Sequence, residues 1–135
     1  MARKEFSGSS ICLLLLTFYI SFSLGDDNEP GLADSCMCGN DDIYIVQGQE
    51  YNPGIPTFTV TIINTCLSTC KPRNIHMYCG WFASWDWVDP KDFRRISYDD
   101  CLVNYGRPMA PFDSIYFTYS NTYMYPLSVK SVEFV

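Results

Sequence analysis

Seven cysteines in 135 residues constrain this chain more than any other feature. Thiols at that density serve either as metal or redox groups in a reducing compartment, or as disulfides in an oxidising one. The N-terminus reads in favour of the second. Arg3 and Lys4 form a short basic region, residues 11–23 form an uncharged apolar stretch, and Ser23-Leu24-Gly25 places small residues ahead of Asp26-Asp27. This is the layout of a secretory signal peptide covering residues 1–25. The uncharged run from Phe6 to Gly25 is only marginally long enough to span a bilayer, and Ser7, Gly8, Ser9 and Ser10 dilute its start. Removal of the signal takes Cys12 with it. Cys36, Cys38, Cys66, Cys70, Cys79 and Cys101 remain, an even set that reads as disulfides.

The rest of the composition narrows the class. The net charge of −6 argues against a nucleic-acid partner, which needs a basic face to neutralise phosphates. Aromatic residues at 16% argue against disorder. No second apolar stretch reaches membrane-spanning length, so the exported chain is expected to stay out of the bilayer, in the extracellular space. Residues 26–35 are acidic, carry Pro30 and Gly31, and read as a flexible leader. Residues 36–135 read as one cysteine-rich domain.

Within that domain the texture is short β-type runs broken by turns. The clearest run is Thr57 to Asn64, where Phe58, Val60 and Ile62 alternate with Thr57, Thr59 and Thr61. Residues 43–46, 75–82, 114–119 and 127–134 read as further strands, and 98–103 as one more. In 75–82 the alternation sets Ile75, Met77, Cys79 and Trp81 on one face and His76 on the other. In the last run it sets Val132 and Phe134 opposite Leu127 and Val129. Pro90 allows a single helical turn over 90–95. Eight Gly and eight Pro between such strands predict an all-β fold, a disulfide-braced antiparallel β-sandwich in a single domain.

Groups suited to catalysis are sparse. His76 is the sole histidine, and no serine context suggests a triad. Asp99 and Asp100 are adjacent in a strand and point to opposite faces, so with Asp113 they read as turn carboxylates rather than an acid–base pair. Cys66-x3-Cys70 with His76-x2-Cys79 has metal-like spacing, but export oxidises such thiols. No cofactor and no metal are therefore expected. Six cysteines allow about 15 pairings, and the spacing does not choose among them. Cys36 and Cys38 are too close in sequence to bridge each other well, so they are expected to take different partners. Asn64-Thr65-Cys66 is only a rare glycosylation variant. Trp81, Trp85 and Trp87 cluster around Phe82. Trp81 is expected in the core, and Trp85 and Trp87 either pin a loop or stand exposed to bind.

Several blocks occur together and in order: residues 54–60 (Gly-Ile-Pro-Thr-Phe-Thr-Val), 64–70 (Asn-Thr-Cys-Leu-Ser-Thr-Cys), Ile75-His76 with Cys79-Gly80-Trp81-Phe82-Ala83-Ser84, Pro90 with Phe93-Arg94-Arg95, and 98–104 (Tyr-Asp-Asp-Cys-Leu-Val-Asn). Gly106-Arg107-Pro108 and Asn121-Thr122 with residues 125–129 extend the series. In these blocks the chain resembles the plant tapetum determinant protein family, over nearly all of its length from Cys38 onward. The resemblance implies a small secreted cysteine-rich ligand for a leucine-rich-repeat receptor kinase that specifies the tapetal layer of the anther, with no catalysis of its own. The chain departs from the family pattern in three places. It ends Val132-Glu133-Phe134-Val135, where family members carry a cysteine. It adds Cys36, which restores an even count by pairing within the chain or by joining two chains. It carries Trp85-Asp86-Trp87, where smaller residues are usual.

Under this reading the candidate receptor contacts are His76, Trp85, Trp87, Arg94, Arg95 and Arg107, because aromatic and arginine anchors dominate protein interfaces. Arg94-Arg95 also reads as a dibasic processing site or a solvated turn. The competing class is a cell-wall polysaccharide-binding module that uses the tryptophan loop.

Overall fold

The computed structural model describes residues 36–135. The signal peptide and acidic leader read from the sequence lie outside the described residues. A 3₁₀ turn, Asn40–Asp42, leads into seven strands: β1 Ile43–Glu50, β2 Thr57–Asn64, β3 Pro72–Tyr78, β4 Phe93–Ser97, β5 Asp100–Val103, β6 Ser114–Ser120 and β7 Ser128–Phe134. They form a three-stranded sheet, β1-β2-β6, and a four-stranded sheet, β4-β5-β3-β7. Every pairing is antiparallel. The expected disulfide-braced β-sandwich is the architecture observed.

Period-two sorting builds the core. Phe58, Val60 and Ile62 of β2 and Phe117 and Tyr119 of β6 bury their side chains with Ile75 and Met77 of β3, Phe93 of β4 and Val103 of β5. Phe93 stacks on Phe117 with centroids 4.6 Å apart, joining the two sheets. Phe82 meets Phe93 edge-on at 4.9 Å and Tyr119 at 5.2 Å, so one loop residue closes the aromatic centre. Asn64 is fully buried yet satisfied: its Nδ2 donates to the carbonyls of Met109 and Ala110, and its Oδ1 accepts from Cys66 N–H. This arrangement pins the β5–β6 connection and leaves Asn64 Nδ2 out of reach of a glycosyl donor.

The six cysteines form Cys36–Cys70, Cys38–Cys66 and Cys79–Cys101. Cys36 and Cys38 do take different partners, and Cys36 pairs within the chain. The first two bridges tie the N-terminal arm to the crossover from β2 to β3. The third ties the exit of β3 to β5. With all six thiols oxidised, the metal-like spacing at Cys66, Cys70 and Cys79 carries no ligands.

The structure corrects four local expectations. The helical turn expected over 90–95 is confined to residues 89–93, where Asp92 and Phe93 N–H groups donate to Asp89 C=O, and the chain passes directly into β4 at Phe93. The 98–103 run is a strand only from Asp100, because Asp99 sits at φ 57 in the β4–β5 turn. The third strand starts earlier than expected, at Pro72, and ends at Tyr78, because Gly80 at φ 54 turns the chain. Trp81 is consequently 64% exposed and Phe82 takes the core position intended for it. In β7, register shifts against β3 reset the alternation, so Val129 and Val132 both pack on the core.

Candidate interaction surface

The outer face of the four-stranded sheet collects charge. Register aligns Arg94 of β4 with Leu102 of β5, and Leu102 with His76 of β3, placing Arg94 and His76 in one cross-strand row on the outer side. His76 Nδ1–H donates to Asp100 Oδ1 at 2.6 Å, and Lys130 Nζ lies 3.8 Å from Asp100 Oδ2. Lys130 also sits 5.7 Å from the Tyr78 ring centroid. Arg73 pairs with Glu133 at 3.2 Å on the same sheet. This sheet thus carries Arg73, Arg94 and Lys130 with His76, and Glu133 and Asp100 lie against Arg73, His76 and Lys130.

Beside this row the backbone is unusual. Asn104, Tyr105 and Gly106 all have positive φ, at 55°, 55° and 73°. At Gly106 the positive φ favours glycine, and a Cβ there would stand 2.5 Å from Asn74 Oδ1 and push that side chain aside. Tyr105 has no such licence, and a bulky residue in the left-handed region stores strain of the kind that gathers at functional sites. Arg94 lies 5.8 Å from the Tyr105 ring centroid. Arg107 closes the same turn, donating from Nε to Asn104 C=O and from Nη2 to Asn104 Oδ1.

A second cluster lies at the β4 edge. Asp99 N–H donates to Gly80 C=O and Asp99 Oδ1 accepts Gly80 N–H, each at 2.8 Å. This clamp sets Trp81 against Tyr98, centroids 4.7 Å apart, with Arg95 Cζ 5.3 Å from the Trp81 ring centroid. Asp99 therefore organises this turn while Asp100 serves the His76 row, and Asp113 holds Ala110 N–H. The carboxylates are structural and face different neighbours.

The tryptophan loop is rigidly attached. Trp85 N–H donates to Ser120 C=O, Ser120 N–H donates to Ser84 Oγ, and Ser120 Oγ donates to the Asp86 carboxylate. Tyr125 OH donates to Trp81 C=O and accepts from Ala83 N–H and Asn121 Nδ2. Burial raises the pKa of Tyr125 and of Tyr119 above the usual tyrosine value. The Trp85 and Trp87 rings are 75% and 79% exposed, so the loop is pinned through its backbone and Asp86, and the indoles face outward. A shallow depression of about 250 Å³, lined by Ala83, Ser84 and Asn121, lies beside Trp85.

Of the six sequence candidates, the structure brings together His76 and Arg94, with Arg107 in the adjoining strained turn. It places Arg95 with Trp81 at the sheet edge, and Trp85 and Trp87 on a separate loop. Tyr98, Tyr105 and Lys130 were missed. The signal for Tyr98 and Tyr105 was their place flanking β5, at the points where strand residues give way to turn residues.

Among the described residues no helix is long and apolar enough to cross a membrane, and no group of His, Cys, Asp and Glu is arranged to hold a metal ion. Fold and surface together define a class: a small disulfide-braced β-sandwich with aromatic and charged side chains exposed on its sheet faces and turns. The family model described as Tapetum determinant 1, C-terminal, matches residues 39–135, and the chain belongs to this family. It is 51% identical over 98 residues to TPD1 protein homolog 1 of Arabidopsis thaliana, covering 70% of this chain and 54% of that protein. It is 42% identical over 99 residues to TPD1 protein homolog 1B of Oryza sativa subsp. japonica, covering 73% and 58%. To TPD1 protein homolog 1A of the same rice it is 42% identical over 105 residues, covering 72% and 46%. The chain thus spans about half the length of these relatives. No solved structure matches it.

Proposed function

We propose that the protein is a secreted signalling ligand that binds the ectodomain of a leucine-rich-repeat receptor kinase and acts in tapetal cell specification. The observation that carries this reading is the grouping of exposed Arg94, Tyr105 and Arg107 with the half-buried His76, in one cross-strand row and the strained turn beside it, on one face of an acidic protein. Family membership and the three disulfides support it, since a cross-linked body holds such groups in place and lowers the ordering cost of binding. A repeat solenoid offers a long concave surface against which a sheet face can lie. Arg94 and Arg95 lie on a strand, paired with Leu102 and Cys101 of β5, a setting that favours a binding role over the dibasic processing reading.

The test is a titration of receptor ectodomains with the wild-type protein and with Arg94→Ala and Arg95→Ala variants. Arg94→Ala is expected to weaken binding about tenfold or more, the effect of losing one interface anchor. Arg95→Ala is expected to act through the Trp81 platform and cost less. Unchanged affinity in both variants overturns the assignment.

The outward indoles of Trp85 and Trp87 beside a shallow depression favour a second reading, a module that stacks cell-wall sugars. Retention on insoluble cell wall that is lost in Trp85→Ala, with no ectodomain bound, would select it.

A further inference from the structure

The two sheets treat their edges differently. In the four-stranded sheet, β4 carries Arg94 and Arg95 and a register shift, and β7 carries Lys130 and Glu133 with shifts against β3. Charges and bulges of this kind protect an edge from pairing. Strand β6 has none of them: Ser114 to Ser120 contains no charge and no proline, and it pairs with β2 without a register shift. Ser120 shows which way its free groups point. Its C=O accepts from Trp85 and its N–H donates to Ser84, both on the side away from β2. By the two-residue alternation, the backbone groups of Ser114, Tyr116 and Thr118 point the same way. Outside the ladder to β2, no hydrogen bond among the described residues engages them.

The face beside this edge carries little charge: on β1 its one carboxylate is Glu50, at the end of the strand farthest from Tyr44. Register places Tyr44, Val46, Thr61, Ile63, Tyr116 and Thr118 together on the outside of the three-stranded sheet, with Tyr44, Val46 and Tyr116 exposed. Two copies of net charge −6 repel, and the paired segment from Ser114 to Thr118 carries no charge of its own, the nearest carboxylates being Asp113 and Asp86 at its two ends.

We infer that β6 is a self-association edge: a second copy adds its own β6 antiparallel across a two-fold axis at Tyr116, making one continuous sheet. That register sets Tyr116 opposite Tyr116 and Thr118 opposite Ser114, with about six new backbone hydrogen bonds. On the inner side Phe117 falls opposite Ile115, which a single copy leaves partly exposed. The loop bonded at Ser120 ends the free edge, and the same register brings Trp85 alongside Phe112 of the second copy. Both aromatics are strongly exposed in one copy, at 75% and 68%. The interface lies on the sheet opposite the His76–Arg94 row, so this inference does not depend on the receptor reading.

Sedimentation velocity on the secreted protein, with a non-reducing gel to exclude disulfide-linked dimers, tests it. A reversible dimer is expected to form between about 1 and 100 µM, the range of a small interface. Thr118→Pro removes an N–H that faces the edge without breaking a bond to β2, and Tyr116→Lys sets like charges opposite each other at the axis. Each is expected to weaken association about tenfold or more, with thermal unfolding of Tyr116→Lys unchanged and Arg94→Ala dimerising as wild type. A monomer throughout this range overturns the inference. So does a dimer that Tyr116→Lys leaves intact, or one held by disulfides.

Discussion

A single hydroxyl organises the loop that shapes one end of the molecule. Tyr125 OH meets Trp81 C=O, Ala83 N–H and Asn121 Nδ2, so Tyr125→Phe leaves three polar groups short of a partner. Loss of about 1–3 kcal/mol is expected, together with loosened near-ultraviolet dichroism from Trp81 and Trp85; denaturant unfolding and circular dichroism measure both. The same residue sets an alkaline limit. Burial holds the Tyr125 and Tyr119 hydroxyls neutral beyond the usual value of 10.0. The unfolded chain therefore releases these protons first as pH rises. The stability tied to them is whole below about pH 10 and falls above it, as linkage requires. Absorbance titration should show two tyrosines ionising after the others, and stability that stays flat as pH rises above 10, with no late tyrosines, would contradict this. At Tyr105 the expectation reverses sign for stability. Tyr105→Gly relieves a positive φ and should leave the fold as stable or up to about 1 kcal/mol more so, while removing the ring beside Arg94 and weakening receptor binding.

The disulfides act on elements, and they are not equivalent. Cys36–Cys70 and Cys38–Cys66 span 34 and 28 residues and close nearly the same loop, so the second adds little entropy once the first exists. Cys79–Cys101 spans 22 residues, is fully buried and has no companion. Replacing Cys36 and Cys70 by Ser should cost under about 1.5 kcal/mol, and replacing Cys79 and Cys101 about 3–5 kcal/mol. Equal losses in equilibrium unfolding would refute the nested-loop account.

The elements also show what the sequence could reveal. β2 and β6 were legible because one face is buried and the other is not, so Phe58, Val60 and Ile62 alternate cleanly with threonines. β4 was not, since Phe93 is its single buried residue and Arg94, Arg95 and Ile96 give no alternation. Trp81 misled for a local reason: Gly80 breaks the strand one residue before it, and period two no longer applies. His76 was placed on the outer face from alternation alone, but its partners Asp100 and Lys130 come from other strands and leave no mark on local sequence.

At the scale of the whole molecule the sandwich separates two surfaces. One sheet turns out a charged row with a strained turn beside it, and the other turns out a face with little charge, ending in an edge strand that has no charge, proline or register shift. The disulfides and the aromatic centre around Phe82 hold both surfaces in fixed relation within residues 36–135. Under the proposed function and the inferred self-association, that division gives the receptor one sheet and a second copy the other. The most direct measurement of the central claim is a titration of leucine-rich-repeat receptor ectodomains at low and physiological salt, comparing wild type, Arg94→Ala and the protein with its disulfides reduced. Saturable binding is expected with one ectodomain, weakening as salt rises, about tenfold poorer for Arg94→Ala and abolished by reduction. Binding that is indifferent to salt, to Arg94 and to reduction would contradict the account.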